Sequence, residues 1–172
     1  MTNFVVDVEA DGPVPGLYSM VSFGAVVLDD ALDKTFYGQC RPISENWIPE
    51  ALAVSGHSRE EVLTFPSPIV TMKEFAEWIE QNKTGKAIFW ADNNGFDWQF
   101  INYYFHSCIN HNPFGFSSQN INSLWKGLSK DCFSSFKHLR KTKHTHHPVD
   151  DAKGNAEAML AMRDKYGIKF GR

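Results

Sequence analysis

At 172 residues, 42% hydrophobic and 14% aromatic, the chain carries enough apolar material for one domain, 1–172, with a substantial core. A formal net charge of −3 excludes a protein that coats nucleic acid by charge alone, so any such role must be local. Three dispersed cysteines (Cys40, Cys108 and Cys132) exclude a zinc ribbon and suit a reducing compartment. With no signal-peptide pattern and no run of membrane-spanning length, a soluble, cytoplasmic protein is expected.

Residues 4–9 predict a strand, because β-branched and apolar residues fill them apart from Asp7 and Glu9. Strand side chains alternate faces, so these two carboxylates point the same way. A close pair of like charges is costly unless a cation sits between them, and hard oxygen ligands suit Mg²⁺ or Mn²⁺. An ordinary solvated strand end is the alternative. Residues 10–16 hold two glycines and two prolines and predict a turn. Residues 21–28 and 34–41 predict two further strands, completing an antiparallel meander. Residues 48–63 are helix-like in short pieces, with Pro49 in a first turn and Gly56 as a break. Across 71–82, Met72, Phe75, Ala76 and Ile79 recur at helical spacing. Residues 86–91 predict a buried strand, followed by a polar turn and a helix from about Gly95 to Ile109. Residues 111–119 predict a loop, 120–128 and 131–140 weaker helices, and 150–166 a helix with an apolar stripe of Ala152, Ala156, Met159 and Leu160.

Later segments also bear on chemistry. Asp97 heads a helical stripe of Phe100, Ile101, Tyr104, Phe105 and Cys108, where it either favours the helix N-terminus or faces an ion. His146 precedes Pro148, which disfavours helix at His147 and suits the start of the next one, so His146 falls in a loop and Asp151 in a first helical turn. A fixed carboxylate beside an imidazole on an approach loop is what water activation needs. The other histidines of the segment (His138, His144 and His147) read as solvated loop residues. Phe65, Trp98, Tyr18 and Met20 offer stacking surfaces or else core packing. Lys137, Arg140, Lys141 and Lys143 form a basic run suited to backbone phosphates or to a solvated face.

Asp7-Val8-Glu9, then Asn93-Asn94-Gly95-Phe96-Asp97, then His146 followed after four residues by Asp151, resemble in order the three motifs of the DEDDh 3′-to-5′ exonucleases of the ribonuclease H-like superfamily. In the sister branch a tyrosine takes the histidine's place, and no tyrosine lies between Tyr104 and Asp151 here. The resemblance implies an α/β fold with a mixed five-stranded sheet flanked by helices, the first strand central. It also implies that Asp7, Glu9, Asp97 and Asp151 bind two Mg²⁺ or Mn²⁺ ions about 4 Å apart. His146 would then take a proton from the attacking water, releasing nucleoside 5′-monophosphates from 3′ ends of single-stranded RNA or DNA, with RNA the favoured guess. Many relatives carry threonines or an aromatic residue after the first motif, where this chain has Ala10-Asp11-Gly12-Pro13. That neighbourhood, with Met20, is expected at the terminal base, and Lys141 and Lys143 at phosphates. A DNA-directed proofreading or repair exonuclease stays open, as does a catalytically idle binding module on the same fold. Relatives are often homodimers, and Trp125 and Phe133 would suit such an interface.

Overall fold

The computed structural model describes residues 1–171. Among the described residues are five strands: β1 (Thr2–Ala10), β2 (Met20–Val27), β3 (Thr35–Gln39), β4 (Ala87–Ala91) and β5 (Ser118–Asn120). The helices are α1 (Pro49–Val54), α2 (Arg59–Val62), α3 (Pro68–Asn82), α4 (Asn94–Ile109), α5 (Ile121–Ser129) and α6 (Pro148–Tyr166). The sheet order is β3-β2-β1-β4-β5, with β1 antiparallel to β2 and parallel to β4. Among the described residues no helix is long and apolar enough to cross a membrane.

Alternation along β1 decides what each face of the sheet carries. Phe4, Val6, Val8 and Ala10 join Met72, Phe75, Phe100 and Tyr104 of α3 and α4 in one core. Val5 faces the other way, into a second core with Trp125, Ala152, Ala156 and Met159 of α5 and α6. Each large side chain so buried contributes roughly 1.5–3 kcal/mol. The same period of two puts Asp7 and Glu9 on the face of Val5, toward α6.

Helix α6 seats its first turn directly on the sheet because Gly24, the β2 residue opposite Asp7, has no side chain. A Cβ there would lie 2.4 Å from both the Pro148 carbonyl carbon and the Val149 nitrogen. Pro148 opens the helix at a position where its missing N–H costs nothing. The strand meander, the helix over 71–82 and the strand and helix over 86–109 agree with the sequence reading. Two segments differ. The fifth strand lies at Ser118–Asn120, inside and just after the segment expected to be a loop, because three residues are too few to show a period. Over 131–140 only a 3-10 turn forms, at Lys137–Leu139. There the Asp131 carboxylate accepts the Phe133 N–H and the Ser129 hydroxyl accepts the Asp131 N–H, local bonds that compete with helix. Of the residues expected at an interface, Trp125 is 5% exposed and packs inside, whereas Phe133 is 99% exposed.

Gly24→Ala should therefore force α6 off the sheet and cost about 1–3 kcal/mol in urea unfolding. Gly127→Ala, in α5 with nothing near its Cβ direction, should instead be neutral or stabilise by up to about 1 kcal/mol. Equal effects at both positions would refute the seating of α6 on Gly24.

Candidate active site

Asp7 and Glu9 stand at the carboxyl end of the central strand, where the register with β2 shifts: Glu9 pairs with Ser22 but Ala10 with Met20. This bulge bends the chain immediately beyond the carboxylates. On the other side of β1, pairing with β4 ends at Val5 and Trp90. The Val8 N–H beyond it is therefore left without a strand partner, and Asp97, in the first turn of α4, accepts it through Oδ1 at 3.0 Å. A backbone orphan thus holds Asp97 at the edge of the site.

Asp151 enters from the first turn of α6 and is 1% exposed. Its Oδ1 receives Arg140 Nη2 at 2.7 Å and lies 2.8 Å from His144 Nδ1; its Oδ2 accepts the His146 N–H at 3.0 Å. One oxygen from each of Asp7, Glu9 and Asp151 lies within 4.8 Å of the others. Asp97 is not that close to all three, so three carboxylates converge and the fourth stands one step back.

The energetic consequence is visible in their proton affinities. Burial, then repulsion from Asp97, Glu9, Asp151 and Asp92, drives Asp7 well above the usual carboxylate range. Burial first, then Asp151, pushes Glu9 up to about 7. Asp97 is likewise raised by burial and by Asp92, against the Val8 N–H that favours its anion. Asp92, the residue after β4, falls in the polar turn that the sequence predicts there, and its place at a strand end is its only signal. An all-oxygen set whose charges repel one another fits a hard divalent cation, with no nitrogen or sulfur donor among the three converging groups.

His146 adopts φ +60°, a left-handed backbone in the loop before α6, and its Nδ1 lies 3.9 Å from Glu9 Oε1. The His144 ring meets it edge-on at 4.2 Å, while His147 turns away to stack on Tyr37. His138 packs on Trp125. Beside Glu9 an apolar cavity of about 510 Å³ is lined by Ala10, Gly12, Ile48, Ala51, Val54 and Phe96, among others.

Not every residue expected at the substrate reaches it. Ala10 and Gly12 line the cavity, but Asp11 and Met20 are fully buried. Asp11 accepts the Ser19 N–H and pairs with Arg59 at 3.1 Å; the Met20 N–H donates to the Tyr104 hydroxyl. Met20 opens β2, a strand buried along its whole length, and Asp11 is held inside by the Ser19 N–H and the Arg59 guanidinium. Trp98 packs edge-on against Phe89, Tyr18 fills the space that Gly12 leaves open, and Phe65 is largely buried. Lys143 is exposed; Lys141 is exposed too, its backbone N–H held by Glu157 on the outer side of α6. Arg140 is not a phosphate clamp, because its side chain is 6% exposed.

The family model for the 3′-5′ exoribonuclease Rv2179c-like domain matches residues 2–162. The chain belongs to this family. It is 42% identical over 127 residues to the 3′-5′ DNA exonuclease Cap18 of Escherichia coli, a match spanning 72% of this chain and 67% of that protein. Among solved structures it resembles the nuclease domain of 3′hExo, a DEDDh family member bound to rAMP, with a TM-score of 0.78 at 18% identity over 96% of this chain and 92% of that one. Exonuclease I of E. coli in complex with a dT13 oligonucleotide gives 0.74 at 14% identity over 94% of this chain and 41% of that one. The fold is the ribonuclease H-like fold of the DEDDh exonucleases, and the chain is a 3′-to-5′ exonuclease rather than an idle binding module.

The raised carboxyls make a pH prediction. Glu9 keeps its proton in the folded state up to about 7, whereas unfolded it releases it near 4.5, so between those values the folded state binds more protons and stability falls as pH rises. For Glu9 alone the loss is on the order of 3 kcal/mol. Melting in a chelator should be lower at about pH 7.5 than at pH 5.5, Glu9→Gln should flatten the difference, and Mn²⁺ should restore stability chiefly at the higher pH. A metal-free protein that is more stable at pH 7.5 would refute it.

Proposed function

We propose that this chain, acting as one exonuclease domain, removes nucleoside 5′-monophosphates from the 3′ end of single-stranded DNA. Asp7, Glu9, Asp97 and Asp151 hold two divalent ions, Mg²⁺ or Mn²⁺, and His146 is the general base. The observation that carries this reading is the convergence of Asp7, Glu9 and Asp151 oxygens within 4.8 Å, beside an apolar cavity that Glu9 also lines.

Divalent ions bound there would stabilise charge developing on the phosphate and lower the pKa of water. The protein's own groups do the rest. His146 accepts the proton of the attacking water, a task suited to imidazole because it exchanges protons near neutrality. Glu9 Oε1 lies 3.9 Å from its Nδ1, so the ring stands beside the carboxylate cluster. Phe96, Ile48 and Val54 give the terminal base an apolar seat, which tolerates any sequence because every base has a π-face.

DNA is favoured by the name of the relative that is 42% identical. RNA is the second reading, favoured by the description of the family model. The cavity wall offers Asn93 as its one neutral polar side chain, little with which to demand a 2′-hydroxyl. Matched single-stranded DNA and RNA oligomers should be digested with DNA faster by at least about 10-fold, a difference of roughly 1.4 kcal/mol in barrier. Equal rates, or faster loss of RNA, would overturn the assignment.

His146→Ala should lower turnover about 100-fold or more while Mn²⁺ still binds. Near-normal turnover would remove His146 from the chemistry. Phe96→Ala should raise KM by roughly 5- to 100-fold, the worth of one stacked base, with a smaller change in kcat; an unchanged KM would place the base elsewhere.

A further inference from the structure

Arg140 is the one member of the basic run whose side chain is withdrawn from solvent, with 6% of it exposed. Its Nη2 donates to Asp151 Oδ1 at 2.7 Å, and Asp151 itself is 1% exposed. A charged pair this buried is costly to assemble, and removing one partner leaves the other charge buried and uncompensated. Two observations indicate that the protein is shaped around it. The guanidinium lies against Gly154, three residues after Asp151 on α6, where an added Cβ would come 2.4 Å from Arg140 Nε. That same Nε is buried without an acceptor, so the group is held for the bond it makes to Asp151 and not for a full set of its own.

We propose that Arg140 is a positioning residue for the nuclease reaction: from a recess made by Gly154 it fixes the Asp151 carboxylate, leaving Oδ2 turned to the cation site. This rests on the reading above that Asp151 is a metal ligand. Oδ1 is engaged by Arg140 and faced by His144, whereas Oδ2 accepts only the backbone N–H of His146, leaving it a free lone pair. Arg140 therefore decides which oxygen is offered. It also ties the loop carrying the general base to the same carboxylate, since the His146 N–H is bound to it. Partners behind a ligating carboxylate are typically worth 10- to 100-fold in metal affinity or activity.

The test combines direct Mn²⁺ binding, by calorimetry or by the electron paramagnetic resonance signal of the free ion, with steady-state kinetics on a labelled oligonucleotide. Arg140→Met should weaken Mn²⁺ binding about 10-fold and lower kcat at saturating Mn²⁺ by 10-fold or more, while KM for the oligonucleotide and its salt dependence stay unchanged. Arg140→Lys, which keeps the charge, should recover part of both losses. Because Arg140→Met leaves Asp151 buried without its cation, Gly154→Ala provides an independent route: it displaces the guanidinium while keeping its charge, and should reproduce the loss of Mn²⁺ affinity.

Tighter Mn²⁺ binding in Arg140→Met would overturn the proposal, since the guanidinium would then be competing with the ion. A rise in KM with a flattened salt slope would overturn it too, by making Arg140 a phosphate contact. Asp151→Asn separates this inference from its foundation. If Asp151→Asn retains Mn²⁺ binding and turnover, the assignment of Asp151 as a ligand has failed; if it loses both while Arg140→Met and Gly154→Ala lose neither, only the role of Arg140 has failed.

Discussion

The contact on which the site depends is the seating of the first turn of α6 on Gly24. That residue lies opposite Asp7 in the β1/β2 ladder, and any side chain there would collide with the backbone of Pro148 and Val149. Seated so, α6 delivers Asp151 to within 4.8 Å of the two strand carboxylates. Without that approach β1 would merely end in two half-buried acids. A hydrogen atom in place of a methyl group is thus what turns two separate acidic segments into one cluster of mutually repelling charge.

That repulsion is the functional content of the arrangement. Burial and neighbouring carboxylates raise Asp7, Glu9 and Asp97 together, so the cluster is strained toward binding protons or a multivalent cation. Asp97 is restrained by the Val8 N–H that the ladder leaves orphaned, and Asp151 by Arg140 and the loop amides. The protein holds these groups in place with backbone donors and one buried guanidinium. Geometry is therefore supplied by backbone hydrogen bonds and by a single ion pair, that of Arg140 with Asp151.

The loop from Arg140 to His147 shows how a histidine on a connecting segment is held in one place. Glu157 of α6 binds the backbone of Lys141 and Thr142, Asp151 binds that of His146, and His147 stacks on Tyr37 of β3. Between these anchors His146 takes a left-handed backbone that turns its ring toward Glu9. Its histidine neighbours are accounted for separately: His144 lies against Asp151 and His147 against Tyr37. Four histidines that are equivalent as letters thus become four environments.

Much of this was legible in the residues. Alternation along 4–9 put Asp7 and Glu9 on one face, helical spacing put Asp97 at the head of an apolar stripe, and Pro148 placed Asp151 in a first turn, because each depends only on local backbone periodicity. The resemblance to an exonuclease family rested on the order of those same motifs. What the letters left open depended on contacts between segments far apart in the chain. Arg140 sits among lysines and looks like one of them, yet the gap at Gly154 draws it inward. Met20 and Asp11 looked available to substrate, but β2 is covered on both faces and Asp11 is held inside by Ser19 and Arg59. Asp92 and Gly24 carried no pattern of their own, one being a turn residue and the other a strand glycine. Periodicity is a property of neighbours along the chain and can be read from it, whereas burial and charge coupling belong to neighbours in space and exist only once the helices have packed.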